Sequence, residues 1–399
     1  MRGNFTAARG DIYISHISLT NFRNYERLEF DLLPGMTLFH GENGAGKSNL
    51  LEAMYMLAVA RSPRASSDRE LIRRSNGEGE FYTQVAADVE RSGDAVNLQV
   101  NFRSTNAPAA ANTPAMLSVQ KYFRVNGVAR RASALIGNLN AVMFSADDLE
   151  IVYGAPSVRR RYLNILISQT DREYLGAIQR YERVVRQRNH LLRQIREGAA
   201  RVGELAFWDD ELVKEGSRIV AQRLDTVKML SEGASPMYAG LSGGSERLDV
   251  AYLPNVELVP DVSESGIADA LRMKLEERRR QELARGMTVT GPHRDDLALT
   301  LDGLDAAGFA SRGQTRTAVL ALKLAEAAFL RERRGREPVI LLDDVLSELD
   351  AARREQVLGH AAQYHQALIT TADADTVAGQ LPNGTARFGV RRGQINLLD

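Results

Sequence analysis

GENGAGKS, residues 41–48, follows the apolar run Met36-Thr37-Leu38-Phe39-His40 and precedes Asn49-Leu50-Leu51-Glu52-Ala53, a stretch of helical character. It satisfies the spacing G-x-x-x-x-G-K-[ST] in full, in the order strand, loop, helix. Glycines let the backbone turn its N–H groups inward, and the following helix adds the positive end of its dipole. A loop of this kind cradles a phosphate chain. Gly41, Glu42, Asn43, Gly44, Ala45 and Gly46 are the expected cradle, with Asn49 beside it. Lys47 is placed to reach the β and γ phosphates and to act in catalysis, and the Ser48 hydroxyl to bind a metal. The expected cofactors are ATP and Mg2+.

A phosphate loop needs a second strand that ends in a carboxylate. Pro338-Val339-Ile340-Leu341-Leu342 is apolar throughout, as a strand buried on both faces should be, and it ends in Asp343-Asp344. Asp343 is the expected metal ligand, and Asp344 the general base that polarises the attacking water. Many ABC ATPases carry Glu at this second position. Asp is one methylene shorter, so slow hydrolysis is expected. Ser347-Glu348-Leu349-Asp350 then resembles a D-loop.

About 300 residues separate Lys47 from Asp343, more than one α/β layer needs. The reading is therefore an α/β fold: a P-loop ABC-type ATPase head of mixed sheets and helices, split by an inserted helical arm. Residues 1–150 would carry the N-terminal part of the head, 151–285 the arm, and 286–399 the C-terminal part.

Two segments compete for the ABC signature, which must sit at a helix N-terminus to offer its amides to a γ phosphate. Leu241-Ser242-Gly243-Gly244 has the spelling. However, Leu248, Val250 and Tyr252 alternate after it and Pro254 stops the run, which reads as turn and strand. Ser311-Arg312-Gly313-Gln314 instead opens a run rich in helix formers, Thr317 to Leu330, that leads toward the acidic strand. This order of signature, helix and metal-binding strand is what the ABC fold requires, although Arg312 replaces the usual glycine.

With these pieces assembled, the chain resembles the RecF family of bacterial recombination and gap-repair ATPases. The resemblance runs from about Ile12 to the C-terminus. It is carried by Leu19-Thr20-Asn21-Phe22-Arg23-Asn24-Tyr25, the phosphate loop, Asp147-Asp148-Leu149 with Arg159-Arg160-Arg161, Gly291-Pro292-His293-Arg294-Asp295-Asp296-Leu297, Ser311–Gln314, and Leu341 to Asp350. It implies an ATP-dependent homodimer, DNA binding coupled to nucleotide state, recombinase loading at single-strand gaps, and RecR, with RecO as a further candidate, as partners. Arg23 is a candidate contact to nucleotide phosphate or base; packing against the core is the other reading. Phe144-Ser145-Ala146-Asp147 lacks the Q-loop glutamine, and Thr370-Thr371-Ala372 stands where a switch histidine is expected. His360 and His365 read as helix-surface histidines.

Between Ser157 and Arg201 there are eleven arginines against four acidic residues, and over 171–197 Ile178, Tyr181, Val185, Leu192 and Ile195 recur at three- and four-residue spacing, the pattern of a long amphipathic helix. Ala268–Arg285 is a candidate helical partner. The arginines are either a solvated face or phosphate contacts; no base-reading module is present, so gapped or single-/double-strand junction DNA would be recognised by shape and not by sequence. Lys+Arg and Asp+Glu both number 51, so attraction to DNA must be local. The absence of cysteine and of any long apolar run suits a cytoplasmic protein without a membrane span. Residues 1–10 read as a loose extension, and 104–114 as a small-residue loop without an assigned function. Two rival readings are the nucleotide-binding subunit of an ABC transporter and a P-loop small-molecule kinase.

Overall fold

A computed structural model describes residues 12–73, 82–91, 93–106, 117–244, 246–258 and 262–397. The N-terminal extension, residues 107–114 of the small-residue loop and Ser245 lie outside them. The chain divides into two compact units: residues 1–148 with 326–399, and residues 149–325. Residues 286–325 thus group with the inserted segment.

The first unit contains two six-stranded sheets. One is antiparallel and runs Tyr25–Asp31, Ile12–Phe22, Tyr82–Arg91, Asp94–Asn106, Leu117–Val125, Val128–Arg130. Its last two strands join through Asn126 and Gly127, both at positive φ (51° and 75°), the conformation a two-residue hairpin turn requires. The other runs Gln394–Leu397, Ala386–Arg391, Gly35–His40, Gln366–Thr371, Val339–Asp343, Ala141–Phe144. Five of its strands are parallel, and Gln394–Leu397 alone runs antiparallel to its neighbour. Val339–Asp343, Gln366–Thr371 and Ala141–Phe144 are buried along their whole lengths, which is why the first and last are apolar up to the site and the middle one carries an apolar centre, Ala367-Leu368-Ile369. Helix Lys47–Val59 packs against strands of both sheets and is buried nearly all round. Among the described residues no helix is long and apolar enough to cross a membrane.

The second unit is built on helices Pro156–Thr170, Arg172–Arg196, Leu205–Ser242 and Glu264–Arg285, with a three-stranded sheet of Leu304–Asp305, Asp296–Leu301 and Leu248–Leu253. The 38-residue helix Leu205–Ser242 and the shorter Pro156–Thr170 were not drawn from the sequence. Arg172–Arg196 packs on it as well as on Glu264–Arg285. Of the expected stripe, Tyr181 and Leu192 are buried, and Ile178, Val185 and Ile195 are half-buried. Arg188 occupies the centre of that face, fully buried between Asp209 (2.7 Å), Glu282 (2.6 Å) and Thr288 (2.8 Å).

The segment Gly291–Leu297 is a hub of this unit. Gly291 has φ 119°, and a Cβ there would meet the Tyr181 hydroxyl at 2.3 Å. That hydroxyl is hydrogen-bonded to His293 Nδ1 (2.7 Å), Arg223 donates to Pro292 O (2.8 Å), and Arg159 pairs with Asp296 (2.6 Å). Burial lowers the His293 imidazole to about 4, and the charges of Arg294, Arg160 and Arg188 push the same way against a hydrogen bond to Thr288 O. The unfolded chain therefore takes up a proton that the folded chain refuses. Stability should rise with pH between about 4 and 6.5 and fall on acidification, by up to about 3 kcal/mol. The Asp295 carboxyl, raised by burial, works in the opposite sense. Urea unfolding of wild type and His293→Asn across this window isolates the imidazole: the wild-type profile should be the steeper one, and parallel profiles would exclude the effect.

Candidate nucleotide site

The parallel sheet explains how residues about 300 apart form one site. Strand Gln366–Thr371 lies between the phosphate-loop strand and Val339–Asp343, with Thr371 level with His40 and Thr370 level with Asp343. The carboxyl ends of all three strands thus share one edge, where ligands bind in α/β sheets. Lys47 and the two aspartates meet there. Burial lowers the Lys47 ammonium below its ordinary range, while the charges of Asp344 and Asp343 oppose this. Lys47 Nζ donates to Gly41 O (2.6 Å) and Glu42 O (3.0 Å), inside the loop it serves.

The loop is held from outside. Gly46 has φ 122°, and a Cβ there would strike Asn24 Nδ2 at 2.6 Å. Asn24 Nδ2 donates to Ala45 O (2.9 Å), Tyr25 OH to Gly46 O (3.0 Å), and Asn49 Nδ2 to Asn24 Oδ1 (2.8 Å). Asn24 and Tyr25 belong to the motif that carried the family resemblance, but their role as struts emerges only in three dimensions. Glycine at 44 (φ 80°) and 46, together with the Lys47–Val59 helix start at Ser48 and Asn49, leaves inward-facing amides suited to phosphate.

Arg23 is committed within the fold. Its guanidinium forms a two-pronged pair with Glu52 (3.0 and 2.8 Å) and donates to Glu70 O (3.0 Å). Glu52 is fully buried and also accepts from Arg64 (2.8 Å) and Ser62 (2.5 Å). Burial raises the Glu52 carboxyl, but the bonds from Arg23 and Ser62 and the charges of Arg64 and Arg23 outweigh it and bring it below its ordinary range. Of Arg23's two readings, this geometry supports packing; a nucleotide contact would require the Glu52 pair to open.

Asp343 is buried, and its Oδ1 accepts from Thr370 Oγ1 (2.9 Å). The same hydroxyl oxygen accepts from Asp344 N (3.0 Å), so one threonine orients both carboxylate residues. Asp344 adopts φ 55°, a left-handed conformation that non-glycine residues seldom hold without a functional reason. Ser347 Oγ donates to Asp344 O (2.7 Å) and Oδ1 (3.0 Å), tying the D-loop-like segment to this carboxylate. Among the described residues no group of three or more His, Asp or Glu side chains could hold a metal alone. Ser48 and Asp343 fit Mg2+, which takes one or two protein ligands and completes its shell with phosphate and water.

Ser311–Gln314 belongs to the second unit. Ser311 Oγ accepts from Gln314 N (3.3 Å) and Gln314 Oε1 accepts from Ser311 N (2.7 Å), a reciprocal cap on helix Arg312–Arg334. Ser311, Arg312 and Gly313 are exposed at that helix N-terminus. Leu241-Ser242 instead ends a helix, and Gly243 (φ 82°) caps its C-terminus. This end presents carbonyls, the wrong polarity for phosphate. Ser145–Asp148 forms a tight turn after strand Ala141–Phe144, with Ser145 N donating to Asp148 Oδ2 (2.6 Å). His360 lies in the last turn of helix Ala351–Ala361. His365 is not on a helix surface: it follows that helix, edge-on to Tyr13 at 5.4 Å, and its backbone O accepts from Gly35 N (2.7 Å).

The three-strand edge, the strutted phosphate loop and the aspartate pair define a split P-loop ATPase head of the ABC and SMC type. The sequence profile described as "RecF/RecN/SMC N terminal domain" matches residues 13–392. The DNA replication and repair protein RecF of Chloroflexus aurantiacus is 42% identical over 96% of this chain and 99% of its own length, and that of Roseiflexus castenholzii 43% over 90% and 93%. A solved structure of the recombination mediator protein RecF-ATP in the RecFOR pathway superposes with a TM-score of 0.86 at 30% identity, covering 99% of this chain and all of that one. An Smc head domain from Pyrococcus furiosus, at 16% identity and a TM-score of 0.53, shares the fold. The chain belongs to the RecF family of DNA replication and repair proteins. That membership displaces the transporter-subunit and small-molecule-kinase readings.

Proposed function

We propose that the chain is an ATP-gated DNA clamp of the cytoplasm. ATP sits on Gly41–Asn49, and two copies close on it, each site taking Lys47, Ser48 and Asp343 from one copy and Ser311–Gln314 from the other. The dimer holds gapped or junction DNA through phosphate contacts and promotes recombinase loading, with RecR and RecO as partners; slow hydrolysis, with Asp344 as base, releases it. ATP acts as a timer. Mg2+ held by Ser48 and Asp343 would supply charge neutralisation at the phosphates. The observation that carries this reading is the assembly of Lys47, Asp343 and Asp344 at one sheet edge from opposite ends of the chain.

Part of the basic arm is committed internally: Arg159, Arg180 and Arg188 pair with Asp296, Glu215 and Glu282. On helix Arg172–Arg196, Arg172, Arg183, Arg186 and Arg193 are exposed and are among the arm arginines available for phosphate.

Sedimentation of the pure protein with and without ATP–Mg2+, alone and with gapped duplex, tests the clamp. A dimer should form only with ATP–Mg2+ and should retain gapped DNA better than plain duplex. Lys47→Ala, which removes charge-assisted bonds to phosphate, should weaken ATP binding by about 10- to 100-fold and leave a monomer. A wild-type monomer under every condition would remove the composite site.

A further inference from the structure

The C-terminal hairpin, strands Ala386–Arg391 and Gln394–Leu397, faces the phosphate loop at close range. Gly393 N donates to Ala45 O (3.0 Å), and a Cβ on Gly41 would meet Val390 O at 2.2 Å. Between hairpin and loop lies a pocket of about 890 Å3, lined by residues 40–45, Ala372, residues 389–392 and Asn396. That volume lies in the range of small-ligand sites.

Three features of its wall are unaccounted for by folding. Arg391 and Arg392 are both exposed and, among the described residues, neither side chain has a hydrogen bond or ion pair. Arg392 is held at φ 50° in the hairpin turn, where a glycine or asparagine would be less strained. His40 Nδ1 is buried without a hydrogen-bond partner among the described residues. Glu42 is the one carboxylate in the lining, and it is exposed and pairs with neither arginine. Two uncompensated guanidinium forks beside backbone amides favour a ligand with several anionic oxygens. Because the pocket shares five consecutive residues with the phosphate loop, the nearest such ligand is the one the loop itself holds.

We propose that the Arg391–Arg392 turn is a second clamp on the nucleotide, gripping anionic oxygens of the triphosphate from the side opposite the helix. The assignment rests on reading Gly41–Ser48 as an ATP site.

The test is titration of a fluorescent ATP analogue into wild type, Arg391→Ala/Arg392→Ala, Arg391→Lys/Arg392→Lys and Lys47→Ala at several salt concentrations, with gapped-duplex binding measured in parallel. Alanine carries the same Cβ as arginine at φ 50°, so the turn is not relieved or further strained; the single Arg391→Ala variant, which leaves Arg392 in place, is used if the double variant fails to fold. The double alanine variant should bind ATP about tenfold more weakly with a shallower salt dependence, and the lysine pair should restore the salt dependence and part of the affinity. A purely structural hairpin would move neither the salt slope nor the lysine rescue. Unchanged affinity and slope in the alanine variant, with wild type binding normally and Lys47→Ala impaired, overturns the clamp alone. Unchanged ATP affinity with reduced gapped-DNA binding overturns it too, by assigning the arginines to DNA. A wild type that binds no ATP overturns the site reading and the clamp with it.

Discussion

Asp344→Asn is expected to lower ATP turnover by about two to four orders of magnitude while leaving nucleotide affinity within a few-fold of wild type. Asparagine is the substitution that isolates the chemistry. It tolerates the left-handed backbone that Asp344 adopts at φ 55°, and its Oδ1 can still accept from Ser347. Asp344 N can still donate to the Thr370 hydroxyl. What disappears is the negative charge and with it the proton acceptor. If hydrolysis is the release step, the variant should accumulate as an ATP-bound dimer in sedimentation. Turnover at the wild-type rate would remove Asp344 as the base. Alanine is a poorer probe, because it bears the same strained φ without either side-chain bond, and its effect would mix folding with catalysis.

The second large effect concerns the helical unit. Arg223 is 2% exposed and donates to Tyr174 OH (3.0 Å), Tyr252 OH (3.3 Å), Pro292 O (2.8 Å) and Asn164 Oδ1 (2.9 Å), with the Asp295 carboxylate 3.7 Å away. Asp295 itself accepts from Tyr252 OH and from Asn255 N (2.6 Å). Arg223→Met would keep much of the volume, leave the buried carboxylate without its counter-charge, and strand several acceptors. The expected cost is about 3–5 kcal/mol, read as a fall in the urea midpoint of the transition that reports this unit. Arg223→Lys should recover the charge but not the fork, and so land between the two. A midpoint unchanged in Arg223→Met would show that the network is energetically neutral.

These two sites mark how far sequence reasoning reaches and where it stops. The phosphate loop and Asp343-Asp344 were legible because each is a contiguous pattern with an adjacent strand. The choice of Ser311 over Ser242 followed from the helix pattern after the one and the strand pattern after the other; the structure has a helix N-terminus at Ser311 and a helix C-terminus at Gly243. Asn24, Tyr25 and Thr370 were not assigned, because a strut is defined by the atom it touches and Thr370 meets Asp343 only across a strand pair. Arg23 was left between two readings because its partner, Glu52, sits on the next helix with no spacing signature to announce it. In the arm, the apolar periodicity located helix Arg172–Arg196 but could not foresee that Arg188 fills the middle of its buried face. Helix Leu205–Ser242 was not drawn, and it carries Pro236 with Gly233 and Gly240 inside it, residues that ordinarily interrupt a helix.

The position of the phosphate-loop strand has a consequence for synthesis. Among the described residues, Gly35–His40 pairs with Gln366–Thr371 and Ala386–Arg391 alone, both of which lie in the last tenth of the chain. A ribosome working at about 5–20 residues per second needs roughly 15–60 s to reach them after making the loop. Throughout that interval the struts Asn24 and Tyr25 are present, but the strand beneath the phosphate loop lacks both of its sheet neighbours. The sheet edge that carries the site is therefore completed late, and a message truncated before codon 366 yields a phosphate-loop strand without either of its sheet partners.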